Sequence, residues 1–164
     1  MAQERPQGGS AFEYMTGPLE RICVTILAHN EEKGIARSLQ SLPMGDPQTV
    51  IHVVVNGSTD RTAERARDAA SGFANVHVHI FDEGGKSRSW NRFILDTLEL
   101  YHPVHIFVDG DAEVVPGSVA ALAEALEANP SANAASALPV NGRHVEYYQA
   151  EMKRTHGVFG GTTA

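Results

Sequence analysis

The chain holds one cysteine in 164 residues, Cys23, and it lies inside an apolar run. A lone cysteine makes no internal disulfide, so the fold rests on its core. The expected setting is reducing and cytoplasmic, free or at the membrane periphery. No apolar run approaches the roughly 20 residues of a membrane-crossing helix, so no membrane segment is expected in this chain. Basic residues are also scarce: 13 Lys and Arg stand against 20 Asp and Glu, for a formal net charge of −7. That balance excludes a nucleic-acid surface, which needs clustered cations to neutralise phosphates. It leaves room for a small phosphate ligand held by a few local cations or a metal ion. Residues 1–18 carry Gly8-Gly9-Ser10 and lack the basic-then-apolar layout of a signal peptide, so they read as a disordered tail. What remains, 42% apolar and 20% charged overall, is the composition of an ordinary globular domain, predicted over 19–164.

That body alternates β-rich runs with helical patterns, the signature of a parallel sheet with crossover helices. Strands are predicted at Ile22–Leu27, Val50–Val55, Val76–Phe81 and Val104–Val108. The second is almost continuously apolar, as a buried parallel strand is. The third alternates Val-His-Val-His-Ile, which predicts a place nearer a sheet edge. Asn30 is the expected cap of a first helix whose apolar face is Ile35, Leu39 and Leu42, stopped by Pro43 and Gly45. Asn56-Gly57-Ser58-Thr59-Asp60 leads into a second helix that ends near Gly72. Gly84-Gly85-Lys86 opens a third, predicted to run to about Tyr101. Pro116 suits the first turn of a fourth, continuing to about Ala128. A fifth strand is predicted over Ala134–Val140 and a fifth helix over His144–His156. The fold class is therefore a three-layer α/β/α, Rossmann-like sandwich around a mostly parallel sheet.

Four segments at strand ends carry the chemistry. Val108-Asp109-Gly110-Asp111-Ala112 places two acids around a glycine directly after an apolar strand. Ligands of open α/β sheets sit outside the carboxyl ends of strands. Carboxylates there suit Mg²⁺ or Mn²⁺ bridging to substrate phosphates, although Asp and Gly are also ordinary turn residues. Asn56 to Asp60 offers backbone N–H groups and hydroxyls to a base, ribose or phosphate, or simply caps the second helix. Gly84-Gly85-Lys86-Ser87, with Asn91 one turn on, brings a cation to a glycine-rich loop, but fits neither the P-loop nor the G-x-G-x-x-G pattern. Ala28-His29-Asn30-Glu31-Glu32 ends the first strand, where Glu32 either faces the site or starts a solvated helix. A parallel sheet brings all four segments to one carboxyl edge, and their convergence argues more than any one alone.

The series ILAHNEEKGIARSLQSL, VVVNGSTDRTAERA, GGKSRSWNRFI and FVDGDAEVVP resembles the inverting glycosyltransferases of family 2, of GT-A fold, over about residues 22 to 140. The resemblance implies a nucleotide-diphospho-sugar donor, UDP- or GDP-linked, and an acceptor of unknown kind. Ala28, His29 and Glu32 would lie beside base and ribose, and Asn56 stands where many members carry an acid that contacts the base. Lys86 would lead toward the phosphates. Asp109, Gly110 and Asp111 form a D-x-D element in which Asp111, with Asp109 in or near its shell, would bind Mn²⁺ or Mg²⁺. Val55-Asn56 departs from the two acids often found there, which opens the base preference. The family places its acceptor site and catalytic base further along the chain, so a truncated domain is expected, with the acceptor-side portion largely missing, no base evident here, and an apolar surface that self-associates.

Other residues have plainer readings. His77 and His79 share one strand face and are read as exposed, since no third metal ligand is near in sequence. Trp90 and Phe93 read as core, Tyr147-Tyr148 as helix packing and Cys23 as an inert core residue. One rival is an incomplete nucleotide-sugar-binding module that needs a partner or further chain for catalysis. The other is a signalling or flavodoxin-like α/β domain, which leaves the Gly-Lys and D-x-D elements unexplained.

Overall fold

A computed structural model of the chain describes residues 21–99, 102–141, 145, 146 and 150. The tail expected over 1–18, Tyr101, most of the fifth helix and Tyr147-Tyr148 lie outside the described residues. The chain divides into two units at the Ala112–Glu113 bond.

The first unit is built on four parallel strands: β1 (Ile22–Ala28), β2 (Thr49–Asn56), β3 (Val76–Phe81) and β4 (Val104–Asp109). Their order across the sheet is β3-β2-β1-β4. β1 and β2 are buried along their whole length, as their apolar runs predict. β3 is the edge strand its alternation predicts, with His77 and Ile80 exposed. The connections β1 to β2 and β2 to β3 step in one direction, whereas β3 to β4 returns across β1. Right-handed crossovers then place α1 (Ile35–Gln40) and α2 (Thr62–Ala70) on one face and α3 (Lys86–Arg92) on the other. The reversal of direction falls between β1 and β4, where an α/β sheet opens its ligand crevice.

The two faces differ in chemistry because side chains alternate along each strand. One presents Ile22, Val24 and Ile26 of β1 and Ile51, Val53 and Val55 of β2. The other carries Leu27, Val54 and Phe81, which meet Phe93 of the third helix, with Ile94 and Leu98 packed against them. Histidines share this second face: His52 lies beside His79, with His52 Nδ1 and His79 Nε2 3.0 Å apart, and Phe93 lies over both rings at 5.0 and 5.2 Å. Burial, reinforced by His79 and His77, pushes the His52 imidazole down to about 3.

Four expectations are corrected. Asn30 does not cap α1; it adopts φ 55° and bonds across to the β2 loop, and the helix begins after Gly34. The third helix is not α-helical to Tyr101: at Phe93–Thr97 it widens into a π turn, closed by Leu98 N–H to the Phe93 carbonyl at 2.8 Å, and the chain is extended at Leu98. The wide turn holds Phe93, Ile94 and Leu98 against the cluster. Residues 134–140 form no strand, because Ala134 to Ala137 are small, Pro139 lacks an N–H, and Leu138 and Val140 stay exposed. In the second unit α4 spans Ser118–Glu127 after Gly117, with Pro116 just ahead of it rather than in its first turn.

Candidate functional site at the carboxyl edge

The segments after β1 and β2 are tied to each other by side chains that satisfy loop backbone donors. Asn30 N–H donates to Ser58 Oγ at 3.0 Å, and Thr59 N–H donates to Asn30 Oδ1 at 2.8 Å. Glu31 N–H donates to Thr62 Oγ1 at 2.7 Å, and Glu32 N–H to Asp60 Oδ2 at 3.1 Å. Asp60 Oδ1 accepts the Thr62 N–H at 3.0 Å, doing the capping work expected of the 58–60 turn. Burial alone would raise the Asp60 carboxyl, but hydrogen bonds from Thr62 and Glu32 outweigh it and hold it below the usual range.

Glycines let these loops approach the strand ends closely. A Cβ on Gly110 would lie 2.9 Å from Ala28 Cα and Cβ, so the D-x-D turn needs its glycine to sit against the end of β1. Gly110 N–H also donates to the Leu27 carbonyl at 3.0 Å. Gly57 has φ +59°, and a Cβ there would lie 2.5 Å from Gly84 N, so the loops before α2 and α3 press together.

The predicted residues therefore gather along one edge. His29 Nδ1 lies 2.6 Å from the Asn56 carbonyl, which can only accept, so Nδ1 carries the proton. Asn56 ends β2 and is buried, and its Oδ1 accepts the Ser89 hydroxyl at 2.8 Å. Lys86, at the start of α3, is ion-paired with Asp109 at the end of β4. Asp111 is exposed on the turn that follows. Glu32 turns toward α2, where its carboxylate accepts the Arg61 N–H at 3.2 Å.

Glu31, one residue earlier, is the acid that joins the D-x-D element. Burial first, then the charges of Asp111, Asp60 and Asp109, raise its carboxyl above the usual range, against a smaller lowering by His29. Uncompensated negative charge of this kind is what a divalent cation relieves. Among the described residues no three His, Cys, Asp or Glu side chains converge tightly enough to hold a metal alone. A two-carboxylate site completed by substrate phosphates and water is how Mg²⁺ is usually held, and Asp109 and Asp111 fit that donor set.

Ser89 escaped the sequence reading, which singled out Ser87 and Asn91 in the same helix; both of those are exposed. The signal was Phe93: a residue four positions before a buried aromatic shares its helix face, so Ser89 points inward.

With this geometry, comparison with known proteins is decisive. The sequence profile of glycosyl transferase family 2 matches residues 23–160. The chain belongs to that family. The chain is also 33% identical over 90 residues to the protein RfbJ of Shigella flexneri, covering 55% of this chain and 64% of RfbJ. It superposes on M. tuberculosis glucosyl-3-phosphoglycerate synthase with a TM-score of 0.53 and 25% identity, covering 64% of this chain and 39% of that one. It also matches S. aureus TarS 1–349 in complex with UDP, with a TM-score of 0.57 and 17% identity over 83% of this chain and 49% of TarS, which shows the shared fold. The family 2 chain thus spans less than two thirds of the relatives it matches.

Proposed function

We propose that this family 2 chain supplies the donor site of a metal-dependent glycosyltransferase, binding a nucleotide-diphospho-sugar and serving transfer of the sugar with inversion. The observation that carries this reading is that the Lys86–Asp109 ion pair, Asp111 and the His29–Asn56 bond lie along one carboxyl edge of the sheet, at the ends of β1, β2 and β4, which includes the switch point between β1 and β4. Structures of TarS in complex with UDP-GlcNAc and with UDP support a nucleotide-sugar donor for this fold.

In this reading Ala28, His29 and Asn56 line the base and ribose. Lys86 exchanges its ion pair with Asp109 for the phosphates; both side chains are partly exposed, so the exchange costs little. Asp111 and Asp109 would hold Mn²⁺ or Mg²⁺, which when bound supplies Lewis-acid stabilisation to the departing diphosphate. The reading assigns no residue of this chain as the base that deprotonates the acceptor hydroxyl. A nucleotide-sugar-binding module that depends on a partner or further chain for transfer is the same site without the second half of the chemistry.

The experiment is calorimetric titration of nucleoside diphosphates with and without Mn²⁺, on the wild type and on Asp111→Ala. Metal-dependent binding that weakens by about tenfold or more in the variant is the expected result. Binding with equal affinity in metal chelator, or unchanged by the substitution, refutes the metal-bridged donor site.

A further inference from the structure

The turn that leads into α1, residues 31–34, lies against the D-x-D turn at both of its ends. At the first end, a Cβ added to Gly110 would meet Glu31 Cγ at 3.1 Å. At the second, a Cβ added to Gly34 would lie 3.3 Å from Asp111 Cα and 3.6 Å from Asp111 Cβ. Gly34 has φ −102° and ψ −38°, a conformation open to residues with side chains, so its backbone does not call for glycine. The closeness of Asp111 does. The turn is also closed on itself, because the Glu31 carbonyl accepts the Gly34 N–H at 3.1 Å and the Ile35 N–H at 2.9 Å. Residues 31–34 therefore form a bracket that seats Gly110 and Asp111.

The bracket is held in turn from the start of α2. Thr62 is fully buried, and its hydroxyl oxygen accepts the Glu31 N–H at 2.7 Å while its proton goes to Asp60 Oδ1. Asp60 Oδ2 takes the next N–H along, that of Glu32, at 3.1 Å. One hydroxyl thus accepts from the bracket and donates to the carboxylate that holds the bracket's second N–H. A methyl of the same size does neither.

We propose that Thr62 is a positioning residue for the divalent cation: by holding the 31–34 bracket through its hydroxyl, it sets where Asp111 stands and so how tightly the metal binds. This rests on the donor-site reading above, in which Asp111 and Asp109 hold Mn²⁺ or Mg²⁺. Metal sites hold their ligand distances to within about 0.2 Å. A bracket that loses one of its two ties to α2 leaves Asp111 freer than that. Groups that hold a metal's ligands in place govern about 10- to 100-fold in affinity, and Thr62, acting through the bracket, belongs at the lower end.

The test is calorimetric titration of UDP and of GDP on the wild type, Thr62→Val, Thr62→Ser and Gly34→Ala, each in Mn²⁺ and in metal chelator. The quantity read is the factor by which Mn²⁺ raises nucleotide affinity. Thr62→Val keeps the shape and removes the hydroxyl, and should cut that factor about tenfold. Thr62→Ser keeps the hydroxyl and should stay within about threefold of the wild type. Gly34→Ala leaves the Thr62 hydrogen bonds alone and presses on Asp111 from the other end of the bracket. It too should lower the factor, by about threefold or more, and it carries the test should Thr62→Val fail to fold. A merely structural role for Thr62 would lower the thermal midpoint of Thr62→Val and leave the factor unmoved, which would overturn the inference. So would a Thr62→Ser that loses as much as Thr62→Val, or a Gly34→Ala that gains as much from Mn²⁺ as the wild type. A wild type whose nucleotide binding gains nothing from Mn²⁺ would instead overturn the metal-bridged donor site, and this inference with it.

Discussion

Acidification should destabilise this chain well above the pH at which carboxylates titrate, and His52 is the reason. Its side chain is buried between the sheet and Phe93, beside His79 and His77, and its imidazole is held down to about 3 from an ordinary 6.5. Between those values the unfolded chain binds a proton at position 52 that the folded chain does not. Stability therefore rises with pH through this window and is lost as pH falls below 6.5. At pH 5 the loss is set almost wholly by the unfolded value, since the folded group is still neutral there. It comes to about 2 kcal/mol relative to pH 8, and at pH 6 to about 1 kcal/mol. Burial lowers His79 and His105 too, so both add in the same direction. Asp60, held low, acts only below its ordinary value of 3.8, outside this window, and Glu31, held high, acts with the opposite sign as pH falls toward 4.5. Urea unfolding at pH 7.5, 6 and 5, followed by far-UV circular dichroism and by the single tryptophan, Trp90, measures the effect. His52→Leu fills a similar volume without titrating and should remove about 2 kcal/mol of the difference between pH 7.5 and pH 5. Equal midpoints at the two pH values in the wild type, or the same pH dependence in His52→Leu, would refute the reasoning.

Two further outcomes test the packing of the edge. Gly57→Ala puts a Cβ at φ +59° and 2.5 Å from Gly84 N, so it should cost about 2 kcal/mol or more and lower the thermal midpoint by several degrees. Trp90 and Phe107 meet at 5.4 Å on the face beside edge strand β4 and both stay exposed, an apolar patch of the kind that drives association. Sedimentation velocity should show concentration-dependent self-association that weakens in Phe107→Lys, and a monodisperse wild-type monomer across a wide concentration range would contradict it.

The strands were legible because β1 and β2 are apolar along their whole length and β3 is not, and burial in a parallel sheet demands that difference. The carboxyl edge was legible for the same reason: once four strands run parallel, the residues after each must share an end. What the sequence hid was direction within the loops. Glu31 and Glu32 are adjacent acids, and only the tie of the Glu32 carboxylate to Arg61 N–H decides which one is left beside the D-x-D turn. Asn30 has the composition of a helix cap, yet its positive φ carries it across to Ser58 and Thr59, a tertiary bond that local preference does not encode. The π turn at Phe93 likewise answers to a cluster of residues far apart in sequence.

These long-range ties bear on what kind of site this is. The backbone N–H groups of residues 30, 31, 32, 59, 61 and 62 all find side-chain acceptors within residues 30–62. Gly57 presses on Gly84, and Gly110 presses on Ala28. The β1, β2 and β4 ends and the start of α3 are thus mutually braced within the first unit. A site braced in this way holds its donors and carboxylates in place before a ligand arrives, so binding spends little on ordering them. Among the described contacts of the proposed site, the Lys86–Asp109 ion pair is one that must give way. In the proposed donor site, phosphate would take Lys86 and a divalent cation would take Asp109. Nucleotide and metal should therefore bind with positive coupling, each raising the affinity of the other by the same factor.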